Sequence, residues 1–299
     1  MARFILSSFA DEAHADLKEQ MSISTKNSIR FIEMRNVNGT SISDISMPQI
    51  KVIKNELIAS GLKISAIGSP FGKILITENF KPHLEKFIRC VEIANELETK
   101  YIRMFSFFIP EGENSAIYRD EVMERLDRFV EACKGTDVVC CHENEKGIFG
   151  NSPERCLDIL KTFKGKINGI FDPANFIQES FEPLPAYKLL EPYIEYLHIK
   201  DALLSDGSVV PAGKGDGSIL EILELFAEKE GDRFLTIEPH LALFDGFKAL
   251  ERNEISMKKF IYSSAQEAYE VAVNALKTIL QNLKFSEETL SGGYCIWKR

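Results

Sequence analysis

The sequence predicts a (β/α)8 TIM barrel that occupies residues 1–299 as a single domain. Eight short runs rich in apolar and β-branched residues each precede a helix or a long loop that leads to one. Strict alternation of strand and helix is typical of parallel strands joined by right-handed crossovers, and eight such units in about 285 residues match a closed barrel. The alternative is an open doubly wound sheet, which calls for a Gly-x-Gly-x-x-Gly turn after its first strand. The segment there, SSFADE, has no glycine.

The predicted strands combine β-branched and aromatic residues and end at turn signals. In chain order they are FILSSF, IRFIEMR, LKISAIG, YIRMFSF, DVVCCHE, KINGIFD, IEYLHI and RFLTIE. In IEYLHI the alternation places His198 on the same face as Ile194 and Tyr196, at the carboxyl end of the strand.

The predicted helices are marked by apolar residues at helical spacing and by end signals. Pro48 suits the first turn of the helix after the second strand, and Gly61 closes that helix. Asn151-Ser152-Pro153-Glu154 supplies a cap, a first-turn proline and an acid for a helix that reaches about Phe163. The last predicted helix runs from about Ser264 to Leu283.

A long segment from Pro239 to about Met257 follows the eighth predicted strand. It exceeds the usual length of a connection between strand and helix, and it carries Phe244, Gly246 and Phe247. We expect it to lie over the barrel mouth as a partial lid or to make a subunit contact in a homo-oligomer. The alternative is a surface loop without either role.

Composition and charge narrow the possible partners and the compartment. The formal net charge of −9 and the pI near 5.3 argue against a nucleic-acid partner, because such binding draws most of its affinity from Lys and Arg. No window approaches 18 apolar residues, and the amino-terminal apolar run is too short for a signal peptide, so we expect a soluble protein with no membrane partner. Six cysteines without Cys-x-x-Cys spacing favour a reducing, cytoplasmic compartment.

Four potential metal ligands stand at the ends of four successive predicted strands: Glu143, Asp172, His198 and Glu238. In a barrel the carboxyl ends of all strands converge on one face, so these side chains should be neighbours. Three clustered carboxylates repel one another unless a cation or protons neutralise them. Three oxygen ligands and one imidazole suit one divalent ion, Mn²⁺ first, with Mg²⁺, Co²⁺ or Zn²⁺ as alternatives. The competing interpretation is four unrelated polar strand ends that face water.

The chain resembles the xylose-isomerase-like barrel superfamily, in its group of sugar-phosphate isomerases and epimerases. The stretches that carry the resemblance are SSFADE, FIEMRN, GSPFGK, CHENEKGIFGNSPERC, FDPANF, LHIKDA, PAGKGDG and IEPHL, which extend from the first strand to the eighth. The resemblance implies that Glu143, Asp172, His198 and Glu238 are the metal ligands. It also implies that Glu143 and Glu238 are the catalytic acid/base pair that approaches the substrate from opposite sides.

The chemistry that such a site supports is proton transfer beside a carbonyl group. A metal that holds the carbonyl oxygen and an adjacent hydroxyl acidifies the neighbouring C–H and stabilises the enediolate. We therefore expect a metal-dependent isomerase or epimerase of carbohydrate metabolism, acting on a small sugar or sugar phosphate. The alternatives are a hydro-lyase acting on a keto-inositol and a sugar-binding protein without catalytic activity.

One position departs from the family. Relatives that epimerise free ketoses often have a histidine three residues after the sixth-strand aspartate, and this chain has Asn175. Asparagine can hydrogen-bond a substrate hydroxyl but cannot carry a proton. The DNA-repair endonucleases of the superfamily use more histidines than the five present here, which sets that activity aside.

Five further residues are predicted substrate contacts besides Asn175: Glu33, Arg35, Asp201, Lys214 and His240. Glu33 and Arg35 match a Glu-x-Arg that the family often has after its second strand, and a salt bridge is the alternative. Asp201 could orient a ligand. Lys214 lies among glycines whose N–H groups could bind an anion, although such a loop is more often only a turn. His240 has a loop role as its alternative, and a structural role is favoured for His142.

Overall fold

The computed structural model describes residues 1–242 and 262–299, in which eight parallel strands close into a barrel. Strands β1 to β8 are Arg3–Ser8, Phe31–Met34, Lys63–Ile67, Tyr101–Met104, Val139–Glu143, Ile167–Phe171, Ile194–Ile199 and Asp232–Ile237. Each strand pairs in parallel with the next. The β8 strand returns to β1 in a register that runs from Arg3 opposite Asp232 to Ser8 opposite Ile237. The predicted closed barrel is confirmed.

Helices surround the barrel on its outer side. Those of the described chain, α1 to α9, are Leu17–Lys26, Met47–Ala59, Phe80–Glu96, Arg119–Ala132, Pro153–Thr162, Pro173–Gln178, Pro183–Leu190, Ile219–Phe226 and Ala265–Asn282. The predicted cap at Ser152 is present, because its side chain accepts the N–H of Arg155, and the Ser264 side chain likewise accepts that of Glu267. Each cap satisfies a backbone donor that the first helical turn leaves without a partner.

The short helix α6 follows β6 directly and was not predicted, because Pro-Ala-Asn was interpreted as a break. Its N-cap is Asp172, whose Oδ1 accepts the backbone N–H of Asn175 at 3.1 Å. Pro173 then occupies the first helical position, where its missing N–H costs nothing. A predicted metal ligand is thus also held by the helix that it caps.

A carboxyl-terminal hairpin was also missed. Its strands β9 and β10 are Ser286–Thr289 and Cys295–Lys298, and β10 lies antiparallel to β1 with Trp297 opposite Phe4. The Tyr294 ring packs edge-on against Phe31, the first residue of β2, with ring centroids 5.4 Å apart. The hairpin therefore lies at the amino-terminal end of the barrel, opposite the predicted mouth.

The barrel interior is layered, because successive residues of a strand alternate between the two faces of the sheet. An apolar layer of Ala66, Cys141, Ile170 and Tyr196 fills its centre. Two residues further along β7 and β5 come His198 and Glu143. The same alternation that builds the apolar layer therefore places both polar side chains above it, at the carboxyl ends of the strands.

Two other predictions have different outcomes. In the described parts of the chain, no helix has both the length and the apolar character needed to cross a bilayer. The predicted lid or subunit contact falls largely on residues 243–261, which lie outside the described residues, and stays a prediction.

Candidate active site

The structure brings the four predicted ligands together at the carboxyl ends of β5 to β8. One ligand atom from each of Glu143, Asp172, His198 and Glu238 lies within 4.8 Å of all the others, and all four residues are buried. Glu143 and His198 belong to their strands, whereas Asp172 and Glu238 come directly after theirs. We call these four residues the ligand cluster.

His198 lies among three carboxylates. Its Nδ1 is 2.8 Å from Glu143 Oε1 and 3.6 Å from Glu238 Oε2, and its Nε2 is 3.1 Å from Glu33 Oε2. Burial alone would lower the pKa of His198, but Glu143 and Glu33 outweigh burial and raise the pKa to about 10. The imidazole therefore has one nitrogen toward the ligand cluster and the other toward Glu33.

Two buried cations neutralise part of the ligand cluster. Lys200 Nζ is 2.8 Å from Asp172 Oδ2 and 3.1 Å from Glu238 Oε2, and Arg103 Nη1 is 3.2 Å from Glu143 Oε2. Burial raises the pKa of Asp172 to about 7, an effect that Lys200 opposes only in part. Burial would also raise the pKa of Glu238, but Lys200, together with the neighbouring histidines and Arg103, outweighs burial and holds this pKa well below its usual range. The two carboxylates on one ammonium group therefore differ in their affinity for a proton.

The sequence analysis assigned no role at this site to Arg103 or Lys200, although each lies two residues after an inward-facing side chain. Arg103 follows Tyr101 on β4, and Lys200 follows His198 at the end of β7. A charged residue in register with the inward face of a barrel strand is the signal that could have found them.

The donor chemistry of the ligand cluster fits a divalent cation. Three carboxylates and one imidazole are donors that Mn²⁺, Zn²⁺ and Mg²⁺ accept to different degrees, and the burial of all four excludes competing water. A second group of potential ligands consists of Glu12, Glu238 and His240. This second group shares Glu238 with the ligand cluster, and Arg35 Nη2 lies 3.1 Å from its Glu12 Oε1, so we assign no separate metal to it.

Two asparagines hold the carboxyl ends of β5 and β6 together. Asn144 donates to the carbonyl of Asp172 and accepts its N–H, both at 2.9 Å. Asn175 donates to the carbonyl of Asn144 at 2.9 Å and lies 3.5 Å from Glu143 Oε1. The structure thus places Asn175 beside a predicted catalytic residue, while the sequence analysis missed Asn144.

Glu33 and Arg35 occupy different places. Glu33 is fully buried behind His198, where its Oε1 also accepts the Tyr196 hydroxyl at 3.2 Å. Arg35 forms a two-bond ion pair with Asp11, at 2.8 and 3.0 Å. For Arg35 the salt bridge named as the alternative is therefore present, and its Nη1 is 3.7 Å from Glu238 Oε1.

Asp201 faces its own loop instead of the ligand cluster. Its carboxylate accepts the backbone N–H groups of Ala202, Gly213, Gly215 and Gly217 at 2.8 to 3.0 Å. A Cβ atom on Gly215 would come within 2.4 Å of Asp201 Oδ1, which explains a glycine there. The structure thus corrects the expectation that these N–H groups bind an external anion, because Asp201 already occupies them, and the Lys214 side chain is exposed.

His240 and His142 are also buried. The backbone N–H of His240 donates to Glu12 Oε2 at 2.7 Å, and its Nε2 lies 3.5 Å from Glu238 Oε1, so His240 lies at the edge of the ligand cluster. His142 Nε2 is 3.0 Å from the Ser106 hydroxyl, and burial lowers the pKa of His142 to about 3. A structural role for His142 agrees with its neutral, enclosed imidazole.

Solved structures similar to this chain share its fold at low sequence identity. One is a D-tagatose 3-epimerase-like protein, with a TM-score of 0.68 and 18% identity over 94% of this chain and 99% of that chain. Another is the IOLI protein with a binding zinc atom, with a TM-score of 0.69 and 14% identity over 94% of this chain and 98% of that chain. A third is the probable 3-DHS dehydratase AsbF from Bacillus anthracis, with a TM-score of 0.67 and 15% identity over 93% of this chain and 99% of that chain.

No curated protein matches this sequence. A family model described as xylose isomerase-like TIM barrel matches residues 26–252. That match covers most of the chain and includes the strands from β2 to β8, which carry all four members of the ligand cluster. The chain therefore belongs to the xylose isomerase-like TIM barrel family.

Proposed function

We propose that this protein is a divalent-metal-dependent isomerase or epimerase of a small sugar or sugar phosphate. The observation that carries the proposal is the ligand cluster, with three carboxylates and an imidazole whose ligand atoms lie within 4.8 Å of one another at the barrel mouth. The epimerase-like protein with the same fold supports the reaction class, and the zinc-binding one supports metal dependence. We propose Mn²⁺ as the preferred ion because the donors are mostly oxygen with a single nitrogen.

Glu143, Asp172, His198 and Glu238 would hold the ion. A divalent ion in that position supplies Lewis acidity, which makes the C–H beside a ketone more acidic. Glu238 is the stronger candidate for the base, because Lys200 at 3.1 Å favours its charged form, which can accept a proton. Glu143, held by Arg103 at 3.2 Å, returns a proton at the same carbon or its neighbour. Return at the same carbon gives an epimer, and return at the neighbouring carbon gives an isomer.

The supporting residues orient these groups. Asn175 lies beside Glu143 and Asn144, where its amide is available to a substrate hydroxyl without carrying a proton. His240 and Arg35 border Glu238 on the side away from Lys200 and would contact the substrate or fix the carboxylate.

A hydro-lyase is the second candidate, because the probable dehydratase AsbF shares the fold and proton abstraction beside a carbonyl can end in loss of a β-hydroxyl. Incubation of the Mn²⁺-loaded protein with ketoses, ketose phosphates and keto-inositols in D₂O, followed by NMR, separates the two. Solvent deuterium at carbon in an isomerised or epimerised sugar is the expected result. Loss of water would indicate the hydro-lyase, and saturable binding without exchange of any C–H would indicate a sugar-binding protein.

A further inference from the structure

We propose that Glu33 is a positioning residue that sets which nitrogen of His198 faces the metal. With an ion bound the imidazole would be neutral, the Glu33 carboxylate would accept the Nε2–H of His198, and the Nδ1 lone pair would face the ion in the ligand cluster. The inference rests on the proposed function, because it concerns an ion held by His198.

The first support is the placement of the imidazole. Nδ1 faces Glu143 Oε1 at 2.8 Å and Glu238 Oε2 at 3.6 Å, both in the ligand cluster. Nε2 faces Glu33 Oε2 at 3.1 Å, and Glu33 is not one of the four clustered ligands. An ion that shares the cluster's carboxylates with His198 must therefore bind Nδ1.

The second support is the enclosure of Glu33 by protein groups that hold it beside His198. Its exposed fraction is 0%, and the Tyr196 hydroxyl donates to its second oxygen at 3.2 Å. On the other side, a Cβ atom added to Gly68 would lie 3.5 Å from Glu33 Cγ and 2.7 Å from the Phe9 ring. The Phe9 ring in turn packs edge-on against His198, with ring centroids 5.2 Å apart. The Glu33 side chain is thus held in contact with the His198 imidazole.

The chemical reason for the arrangement is the single proton of a neutral imidazole. A histidine that binds a metal through one nitrogen carries its proton on the other, and the partner of that N–H selects the tautomer. A carboxylate partner also makes the ligand nitrogen a stronger donor. Glu33 lies 165 residues before His198, so the barrel brings this pair together across its interior.

The test compares two isosteric substitutions, Glu33→Gln and Glu195→Gln. Glu195 is a matched control because it lies three residues before His198 on β7 and binds Tyr101 and Arg233 instead of a member of the ligand cluster. Affinity for Zn²⁺ is measured by competition with a chromophoric chelator. We expect Glu33→Gln to weaken Zn²⁺ binding about 10- to 100-fold, the usual effect of losing an outer partner of a metal ligand. Glu195→Gln should leave it unchanged, and equal affinities in both variants would overturn the inference.

A second measurement uses the unmodified protein and so does not depend on how the variants fold. Histidine ¹⁵N NMR of the Zn²⁺-loaded protein should show His198 with its proton on Nε2 and the metal-induced shift on Nδ1. The opposite assignment would overturn the inference while leaving the proposed metal site intact. A parent protein that binds no Zn²⁺ or Mn²⁺ would overturn the proposed function, and the inference with it.

Discussion

Both ends of the barrel hold charged side chains, but these side chains differ in their burial and in their partners. At the carboxyl end, the ligand cluster is buried and its carboxylates share the cations Lys200 and Arg103. At the amino end, Glu195 receives the Tyr101 hydroxyl at 2.5 Å and an ion pair from Arg233 at 3.0 Å, and both charged side chains are 22% exposed. Carboxylates that are dry and crowded select a cation, whereas a single carboxylate with its own partners and access to water needs none.

The largest expected effect is on catalysis at the carboxyl end. Glu238→Gln keeps an oxygen donor of the same size but cannot accept a proton at neutral pH, so the variant should retain much of its metal. Its turnover should fall about 10² to 10⁴-fold, the usual contribution of a positioned general base. Metal content is measured beside turnover with the sugar identified by the D₂O assay. A fully loaded and fully active variant would refute the two-glutamate mechanism.

The next effect belongs to the amino end and should appear in stability instead of turnover. Trp297 on β10 is 2% exposed and lies opposite Phe4 of β1. Trp297→Ala should lower the free energy of unfolding by about 3 to 5 kcal/mol, the usual cost of a large aromatic truncation in a core. Denaturant titration measures this, with Val52→Ala on the exposed face of α2 as control. Unchanged stability would show that the hairpin does not support the barrel.

Removal of the imidazole tests whether the ligand cluster is one site. His198→Ala deletes the neutral donor and leaves three crowded carboxylates, so bound metal should be sparse on purification. We expect affinity for Mn²⁺ to fall by more than about 100-fold, which exceeds the loss expected for an outer partner. If calorimetry found the parent affinity in His198→Ala, the site assignment would fall.

The last effect, small over any single pH unit, is a pH dependence of stability that arises from His142, just behind the ligand cluster. Burial lowers the pKa of His142 to about 3, so the unfolded chain binds a proton below about 6.5 while the folded state does not. The stability that comes from keeping His142 neutral is therefore fully present above about pH 6.5. It falls as pH drops from there toward 3, by up to about 1.4 kcal/mol per pH unit.

His142→Gln should flatten that slope in denaturant titrations between about pH 4.5 and 7. Part of the slope should persist, because burial also lowers the pKa of His83, to about 4. An unaltered slope in the variant would mean that the unfolded chain does not gain the predicted proton on His142.

The sequence predicted the barrel and the ligand cluster because both depend on local patterns. Alternation within each strand fixes which side chains face inward, and convergence of the strand ends brings those side chains close together. Arg103 contacts Glu143 from the neighbouring strand β4. Glu33 on β2 contacts His198 on β7 across the barrel, so only the closed structure reveals that contact.

Other features escaped because their signal is weak or ambiguous. The motif Asp172-Pro-Ala-Asn indicates a turn and a helix start equally well. In the structure it begins a helix that is capped by Asp172. The strand Ser286–Thr289 is exposed along its length, so it has no apolar alternation to detect. A glycine-rich loop is compatible with anion binding and with a plain turn, and only the contact with Asp201 shows that its N–H groups are occupied.

The antiparallel pairing of β10 with β1 has a consequence for the order of folding during synthesis. At typical elongation rates of 5 to 20 residues per second, Phe4 leaves the ribosome roughly 15 to 60 s before Trp297. Through that interval β1 lacks this neighbour, and until β8 emerges it also lacks the partner that closes the barrel. Contacts between residues so distant in sequence form slowly, and an unpaired strand edge can pair with other chains. The nascent protein should therefore depend on a chaperone that shields β1 more than a barrel closed by local contacts would.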